Sequence, residues 1–341
     1  MTLILLALFL LFCSIFHGKN KAIDNMTYVI VFLVLVIAKT GIDLNALPDV
    51  IHYFWGFKEL SAVDWLNVAG HDLVLLKCPE TGFRYILKLG SFLGNFKWSL
   101  FIVATIHAYA FIYTSKKYSP YIIFSLIIFV LSSIQSFFVL RQWLAISVTL
   151  FSYQYIISRN WKMFTILLLL AFSMHQTAIV FIPVYFIYGI KKVKRMYIML
   201  FVIAIVATIS FSVVFNFFAA SMVGYEGYID NEEANTTTLL ISACYLFFYI
   251  FFLKRDIYKD GINKLMFVIL ILNFIAMLTG YSFSGINRLM MYYSVVIFLS
   301  VPITMKYIKD PFVRYAYVTI ILLLNTYMNF FGSNSIYLNS I

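Results

Sequence analysis

Long apolar runs separated by short polar segments dominate this chain, and the pattern predicts a polytopic α-helical membrane protein. A membrane-spanning helix needs about 20 mostly apolar residues, with about 17 as the lower end. A membrane β-barrel would instead show strictly alternating segments of about 10 residues, which the runs at 121–131 and 164–172 do not. The apolar runs predict spans at roughly 2–17, 26–39, 97–114, 120–138, 142–157, 162–174, 175–189, 196–219, 237–253, 264–281, 288–305 and 314–331.

Two apolar stretches must contain a turn. Residues 120–157 are apolar apart from one strong charge, Arg141, so the chain is expected to turn near that residue. Residues 162–189 include Ser173-Met174-His175-Gln176 and are too long for one straight span but short for two. This stretch predicts either a pair of short helices that turn near His175 or one broken helix.

Basic residues collect in six clusters between the spans, and cytoplasmic loops of membrane proteins are enriched in Lys and Arg. If all six clusters face the cytoplasm, each segment between neighbouring clusters must cross the membrane an even number of times. This holds only if 162–189 crosses twice or re-enters as a hairpin. This predicts about 12 transmembrane or re-entrant helices with both termini outside. The clusters are Lys19/Lys21, Lys116/Lys117, Arg159/Lys162, Lys191/Lys192/Lys194/Arg195, Lys254/Arg255/Lys259/Lys264 and Lys306/Lys309/Arg314.

Composition supports the membrane class and removes other classes. The chain has 341 residues, 63% hydrophobic and only 11% charged, whereas a soluble domain carries about 25% charged residues. A net charge of +11 would suggest nucleic acid in a soluble domain, but the positive-inside rule explains it here, so no nucleic-acid partner is expected. Three cysteines without a CxxC motif or Cys/His ligand spacing argue against a structural zinc site and against a disulfide framework.

Two loops on the predicted outer side are larger than connections require, within what is expected to be one integral membrane domain over 1–341. The first, 40–96, has Phe83, Ile86, Leu87 and Leu93 at helical spacing, so 82–94 is predicted to be an amphipathic helix at the membrane interface. The second is 221–236. The sequence shows no internal repeat, which counts against a transporter built from repeated halves.

Two arginines at predicted outer span ends are candidates for an anion site. Arg141, followed by Gln142, has no acidic residue within ten positions, and Arg288 follows a Gly- and Ser-containing stretch with Tyr292 one turn later. A guanidinium stays charged and binds phosphate bidentately. The alternative for Arg141 is a side chain that snorkels to the headgroups; for Arg288 it is a helix-start arginine bonded to nearby carbonyls.

Three residues are candidates for acid–base chemistry: His175 at the predicted turn, Glu80 before the amphipathic helix, and Asp43 after an early span. A histidine can carry a proton near neutral pH, and a carboxylate can act as a general base. Each also has a structural alternative, such as a helix-start carboxylate favoured by the macrodipole. No DxD, P-loop, GxGxxG, HExxH or GxSxG motif is present, so neither a metal nor a cofactor is expected.

These residues stand in motifs that resemble the EpsG family of bacterial exopolysaccharide proteins, which belongs with the Wzy-type polysaccharide polymerases. The motifs run in order from about residue 40 to 295, with Arg-Gln-x-Leu-Ala and the downstream His-x-Thr-Ala as the most specific. They are Gly41-Ile42-Asp43, Glu80-Thr81-Gly82-Phe83, Arg141 to Ala145, His175 to Ala178, and Arg288 with Tyr292 and Tyr293.

The resemblance implies a GT-C-like membrane glycosyltransferase of the bacterial cytoplasmic (inner) membrane, acting in exopolysaccharide, capsule or O-antigen synthesis. Its donor and acceptor would be undecaprenyl-diphosphate-linked oligosaccharides on the outer or periplasmic face, and its partners would include a chain-length regulator and a flippase of the same pathway. Arg141 and Arg288 suit the diphosphate, with Gln142 and Tyr292 beside them. Glu80, Asp43 and His175 stay open as the general base. Because the outer acidic residues are scattered and the two arginines can offset the charge of the diphosphate, the residues of this chain predict an inverting, metal-independent transfer.

Two other functional classes compete with the polymerase. A lipid-linked oligosaccharide flippase or transporter predicts a basic cavity within the bilayer and commonly repeated halves. A membrane acyltransferase that decorates the glycan would also use a histidine but would need an acyl donor from the cytoplasm. The span-end charges and the lack of cytoplasmic catalytic candidates favour the polymerase.

Overall fold

A computed structural model describes residues 2–18, 20–43, 48–74, 76, 78–192, 195–200, 202–203, 236–280 and 286–327. Every regular element within these ranges is helical. Short 3₁₀ helices lie at Trp65–Asn67, Ile134–Phe137, Gln176–Phe181 and Lys254–Tyr258. The α-helices are α1 (Thr2–Ser14), α2 (Lys21–Thr40), α3 (Pro48–Ser61), α4 (Thr81–Phe92), α5 (Phe96–Tyr118), α6 (Ile122–Ser132), α7 (Leu140–Ile157), α8 (Trp161–Met174), α9 (Ile182–Tyr188), α10 (Thr236–Leu253), α11 (Gly261–Gly280), α12 (Ile286–Ser294), α13 (Ile297–Tyr307) and α14 (Pro311–Thr326).

Five helical stretches in the described residues are long and apolar enough to cross a membrane, which confirms the helical membrane class. Further apolar helices of 10–17 residues accompany them. The number of crossings and the orientation in the membrane stay predictions. The five stretches are Lys21–Thr40, Phe96–Tyr118, Thr238–Tyr258, Gly261–Thr279 and Leu289–Tyr307.

Polar residues set the starts of several helices. A free backbone N–H at a helix start is satisfied by a side-chain oxygen of the preceding residue. Asn20 accepts from Ala22 N at the start of α2, and Asn95 accepts from Lys97 N at the start of α5. Just before Asn95, Gly94 has a φ of +84°, a left-handed value that favours glycine. This tight turn places the end of α4 beside the start of the α5 span.

Helices α8 and α9 form a hairpin with His175 at its tip. His175 is extended, with φ −160° and ψ 124°, between the end of α8 and the 3₁₀ helix that precedes α9. Phe164 near the start of α8 stacks on Tyr185 of α9 with ring centroids 4.7 Å apart. Helix α9 therefore runs back alongside α8, towards the end at which α8 begins. The 14 residues of α8 rise about 21 Å at ~1.5 Å per residue, less than the ~30 Å hydrocarbon core. Of the two predicted forms, the pair of short helices is the one observed.

The predicted turn near Arg141 is also confirmed. Helix α6 ends at Ser132, a 3₁₀ helix spans Ile134–Phe137, and α7 begins at Leu140. The stretch between these two α-helices is mostly buried in the protein, which is where irregular backbone is tolerated in a membrane protein. Arg141 therefore lies in the first turn of α7.

The long segment 40–96 folds into α3, α4 and the loop between them. The helix predicted over 82–94 is α4, but Phe83, Ile86 and Leu87 are buried against the protein. Three of the four residues in the predicted stripe thus face neighbouring helices, whereas Leu93 is exposed. A position at the membrane interface stays a prediction. All but the last residue of the second predicted loop, 221–236, and the Gly/Ser stretch 281–285 lie outside the described residues.

Candidate active site

Three predicted residues from distant parts of the chain meet at one carboxylate. Glu80 Oε2 accepts a hydrogen bond from Arg141 Nη1 at 2.7 Å, and Glu80 Oε1 lies 2.7 Å from His175 Nδ1. The side chains of Glu80 and His175 are 2% and 4% exposed, whereas that of Arg141 is 18% exposed. The arginine is therefore the member of the group that solvent reaches most easily.

The site is assembled from the ends of three helices. Glu80 is the N-cap residue of α4 after Pro79, Arg141 is in the first turn of α7, and His175 is the C-cap of α8. Helix ends leave backbone groups unpaired and are natural places for polar side chains. Gln154, near the other end of α7, accepts a hydrogen bond from Lys117 at the end of α5. Arg141 therefore lies at the end of α7 that is away from the basic pair Lys116/Lys117.

Gly82 permits the close approach of α4 to the hairpin tip. A Cβ at this position would meet Ser173 Oγ, and would lie 2.9 Å from both Ser173 O and Met174 Cε. Atoms at such distances must move apart, and Ser173 O is backbone. A glycine two residues after Glu80 therefore lets its carboxylate reach the imidazole of His175.

Arg84 fixes the segment that carries Glu80. Its Nε donates to Cys78 O at 2.6 Å, and its Nη1 donates to Ala69 O at 3.1 Å and to His71 O at 2.7 Å. A guanidinium with its fork of donors can satisfy several carbonyls at once. This buried side chain closes the loop before α4 onto the helix itself and so restrains the Cys78–Glu80 segment.

The charge of the carboxylate is set by opposing effects. Burial raises the pKa of Glu80, but the hydrogen bond from His175 and the positive charge of Arg141 outweigh it and lower the pKa to about 2. Glu80 is thus ionised at neutral pH with both oxygens engaged. A carboxylate of this kind is a weak proton acceptor and a strong orienting partner.

The tautomer of His175 follows from that contact. An ionised carboxylate only accepts hydrogen bonds, so the Nδ1 that faces Glu80 carries the proton. The neutral imidazole then has its lone pair on Nε2. Carboxylate–imidazole pairs hold a histidine in this form for proton transfer and stabilise the imidazolium that results.

The structure adds neighbours that the sequence did not single out. Cys78 Sγ donates to Glu80 Oε2 at 3.4 Å, and burial raises the pKa of its thiol to about 11, so it stays protonated. The Tyr53 ring centroid is 5.7 Å from Arg141 Cζ, and burial raises the Tyr53 pKa to about 12. Lys39, 2% exposed, donates to Ser136 Oγ at 3.1 Å and ties α2 to the turn before Arg141.

The remaining predicted residues are placed less closely. Gln142 is fully buried beside Arg141. Tyr292 is buried, and its hydroxyl is 3.3 Å from Thr177 Oγ1, two residues after His175. Arg288 lies in α12 one turn before Tyr292, but its side chain is outside the described residues. Asp43 is exposed after the end of α2.

Arg141 has donor capacity beyond Glu80. Its Nε–H is buried and finds no acceptor within the part of the chain that is described. Buried donors without a partner are rare in native proteins. Among the described residues, no group of three or more His, Cys, Asp or Glu side chains is arranged to hold a metal ion. The arrangement thus offers a cation that can bind an anion next to a histidine oriented for proton transfer.

Comparison with known proteins agrees with the motifs. The EpsG family model matches residues 3–339. No curated protein and no solved structure matches the chain. Because the match covers nearly the whole chain, it indicates a polysaccharide polymerase-type role with glycosyltransferase-like chemistry. The chain belongs to the EpsG family, which is related to the Wzy-type polysaccharide polymerases.

Proposed function

We propose that this protein joins undecaprenyl-diphosphate-linked oligosaccharide repeat units into a surface polysaccharide on the outer face of the cytoplasmic membrane. The observation that carries the proposal is the buried Glu80 carboxylate that bridges Arg141 and His175. Family membership supports the polymerase class, and the basic clusters support an outer position for these helix ends.

The three candidate bases receive different roles in this mechanism. His175 Nε2 takes the proton of the acceptor hydroxyl, and Glu80 orients the imidazole and stabilises its protonated form. The hydroxyl oxygen bonds to the anomeric carbon of the donor as the bond from that carbon to the diphosphate oxygen breaks. Asp43, exposed beyond α2, has no step in this scheme. Attack opposite the leaving group gives inversion at that carbon.

Arg141 and Arg288 bind the departing lipid diphosphate and offset its charge. Fixed cations aimed at developing negative charge in a partly water-excluded site can lower a barrier substantially. The Nε–H of Arg141, which has no acceptor among the described residues, and the 18% exposure of the Arg141 side chain support this role. Since both oxygens of Glu80 are engaged, Glu80 is not free to ligate a metal, and we propose a metal-independent transfer.

The test is polymerisation of lipid-linked repeat units by purified enzyme with His175→Gln. We expect a loss of about 10²–10⁴-fold, the usual contribution of a general base. The matched control is His52→Gln, an exposed histidine of α3, which should retain activity. Near-normal polymerisation by folded His175→Gln would reject the assignment of the base.

A deletion strain separates the functional classes. Loss of a polymerase leaves single repeat units on the outer face. Loss of a flippase traps them inside, and loss of an acyltransferase leaves full-length, unmodified polymer. Either of the last two results would reject the polymerase.

A further inference from the structure

An apolar surface lies at the end of α4, beside the start of the α5 span. Leu66 is 94% exposed and Phe92 is 72% exposed, with Leu93 and Trp65 also substantially uncovered. Single exposed apolar side chains are ordinary, but a contiguous group marks a binding surface. We call Trp65, Leu66, Phe92 and Leu93 the apolar rim.

The apolar rim is held firmly to α4. The Trp65 ring stacks on Tyr85 with centroids 6.4 Å apart and meets Phe92 edge-on at 6.2 Å. The Lys88 ammonium lies 5.8 Å from the centre of the Trp65 ring and donates to Leu60 O and Ser61 O. The exposed Leu66 therefore projects from a braced turn and not from a loose loop.

Continuity with the α5 span identifies what covers this surface. Only Leu93, Gly94 and Asn95 separate α4 from α5, which is long and apolar enough to cross a membrane. Trp98 and Phe101, in the first two turns of α5, are also exposed and pack edge-on against each other. The apolar rim thus continues the lipid-facing surface of a membrane span at its very end.

The residue types fit the same occupant. Tryptophan and tyrosine are enriched where hydrocarbon meets headgroups, because their rings are apolar with one polar group. Lysine can cover apolar surface with its alkyl stem while its charge points to polar groups. Leucine and phenylalanine beside them suit the upper acyl region.

We propose that the apolar rim is inserted in the interfacial region of the leaflet that surrounds the start of α5. Because Trp65 is braced on α4, this contact holds α4, and Glu80 at its beginning, at a fixed height above the bilayer. The lipid surface is thus a third support for the site, besides Gly82 and Arg84. This inference does not depend on the reaction proposed above.

The test uses a fluorescent probe on the full chain in lipid nanodiscs. Leu66→Cys is made in a Cys244→Ser background and labelled with an environment-sensitive dye, since Cys13 and Cys78 are buried. Asp72→Cys, an exposed polar position of the same loop, is the matched control. Nitroxide-bearing lipids should quench the dye at 66 at least twofold more than the dye at 72, and aqueous iodide should quench it less.

Two outcomes would overturn the proposal. Equal quenching at both positions by nitroxide lipids would show that the apolar rim stands in water. Protection from iodide only after lipid-linked oligosaccharide is added would assign the surface to the substrate. Should the Leu66 variant fail to fold, the same probe at Phe92→Cys decides, because Phe92 is also mostly exposed.

Discussion

Replacing Glu80 by Gln removes one charge from the centre of the proposed site with almost no change of shape. The folded protein lowers the pKa of Glu80 from 4.5 to about 2. At about 1.4 kcal/mol for each tenfold change, it favours the carboxylate over the neutral acid by about 3 kcal/mol. Removal of one partner from a buried ion pair costs a similar ~3–5 kcal/mol, because the other charge stays buried.

The effect on catalysis should exceed the effect on stability. With Gln at position 80, the amide can present its NH₂ group to His175, which favours the tautomer that cannot accept a proton at Nε2. We expect polymerisation by Glu80→Gln to fall about 10²–10⁴-fold, measured as glycan chain length and rate with purified enzyme. Asp64→Asn, at an exposed carboxylate of the same segment, serves as the control and should behave as wild type.

A double variant separates charge from chemistry. Glu80→Gln with Arg141→Met removes both charges, so thermal unfolding in detergent should recover a large part of the lost stability, while activity stays low. Contacting residues show such non-additive effects in double-mutant cycles. Folded Glu80→Gln that polymerises within threefold of wild type would refute the orienting role of the carboxylate.

Further expectations concern geometry, charge and metal. Gly82→Ala should cost about 1–3 kcal/mol of folding stability through overpacking. It should also reduce activity at least tenfold, since a ~1 Å displacement of a catalytic group can cost ~10²-fold in rate. Gly70→Ala, with open space around it, is the control and should be neutral in both assays. Arg141→Lys and Arg288→Lys should each lose most activity yet express normally, because a point charge cannot replace a bidentate fork; near-full polymerisation would favour snorkelling. The pKa of Glu80 is depressed, so its stabilisation is full above about pH 4.5 and is lost as pH falls towards 2; unfolding at pH 3 and 6 should show a smaller pH effect in Glu80→Gln. EDTA should leave polymerisation unchanged, and a loss restored by Mg²⁺ or Mn²⁺ would reject the metal-independent mechanism.

The sequence predicted the helical class and the breaks at Arg141 and His175 because charge and polarity inside apolar runs are costly and must be accommodated locally. It named Glu80, Arg141 and His175 but could not bring them together. Glu80 is 61 positions from Arg141 and 95 positions from His175, and no periodicity spans such separations. Only the packing of α4, α7 and α8 decides that one carboxylate meets both the guanidinium and the imidazole.

For other features, the sequence showed the residues but not what they contact. The stripe of Phe83, Ile86 and Leu87 correctly predicted a helix, yet apolarity alone cannot tell whether lipid or protein covers a face. Cys78 is two positions from Glu80 in the chain, but no sequence pattern marks its thiol as a partner of the carboxylate. Nor does any pattern link Tyr53 to this group. Gly82 was part of a motif, but the reason for a glycine there is the backbone of Ser173, which belongs to another helix.

The pairing of Arg141 with Glu80 gives the proposed mechanism an order of events. Arg141 is the most exposed of the three side chains, so an arriving diphosphate meets it first and competes with Glu80 for its guanidinium. As the arginine turns towards phosphate oxygens, Glu80 keeps its negative charge but loses the cation that offset it. That charge is then available to stabilise His175 when the imidazole accepts the hydroxyl proton. Under this mechanism, donor binding prepares the base, and an empty site holds Glu80 neutralised by Arg141. Before the donor arrives, Glu80 is therefore less able to stabilise the protonated imidazole of His175.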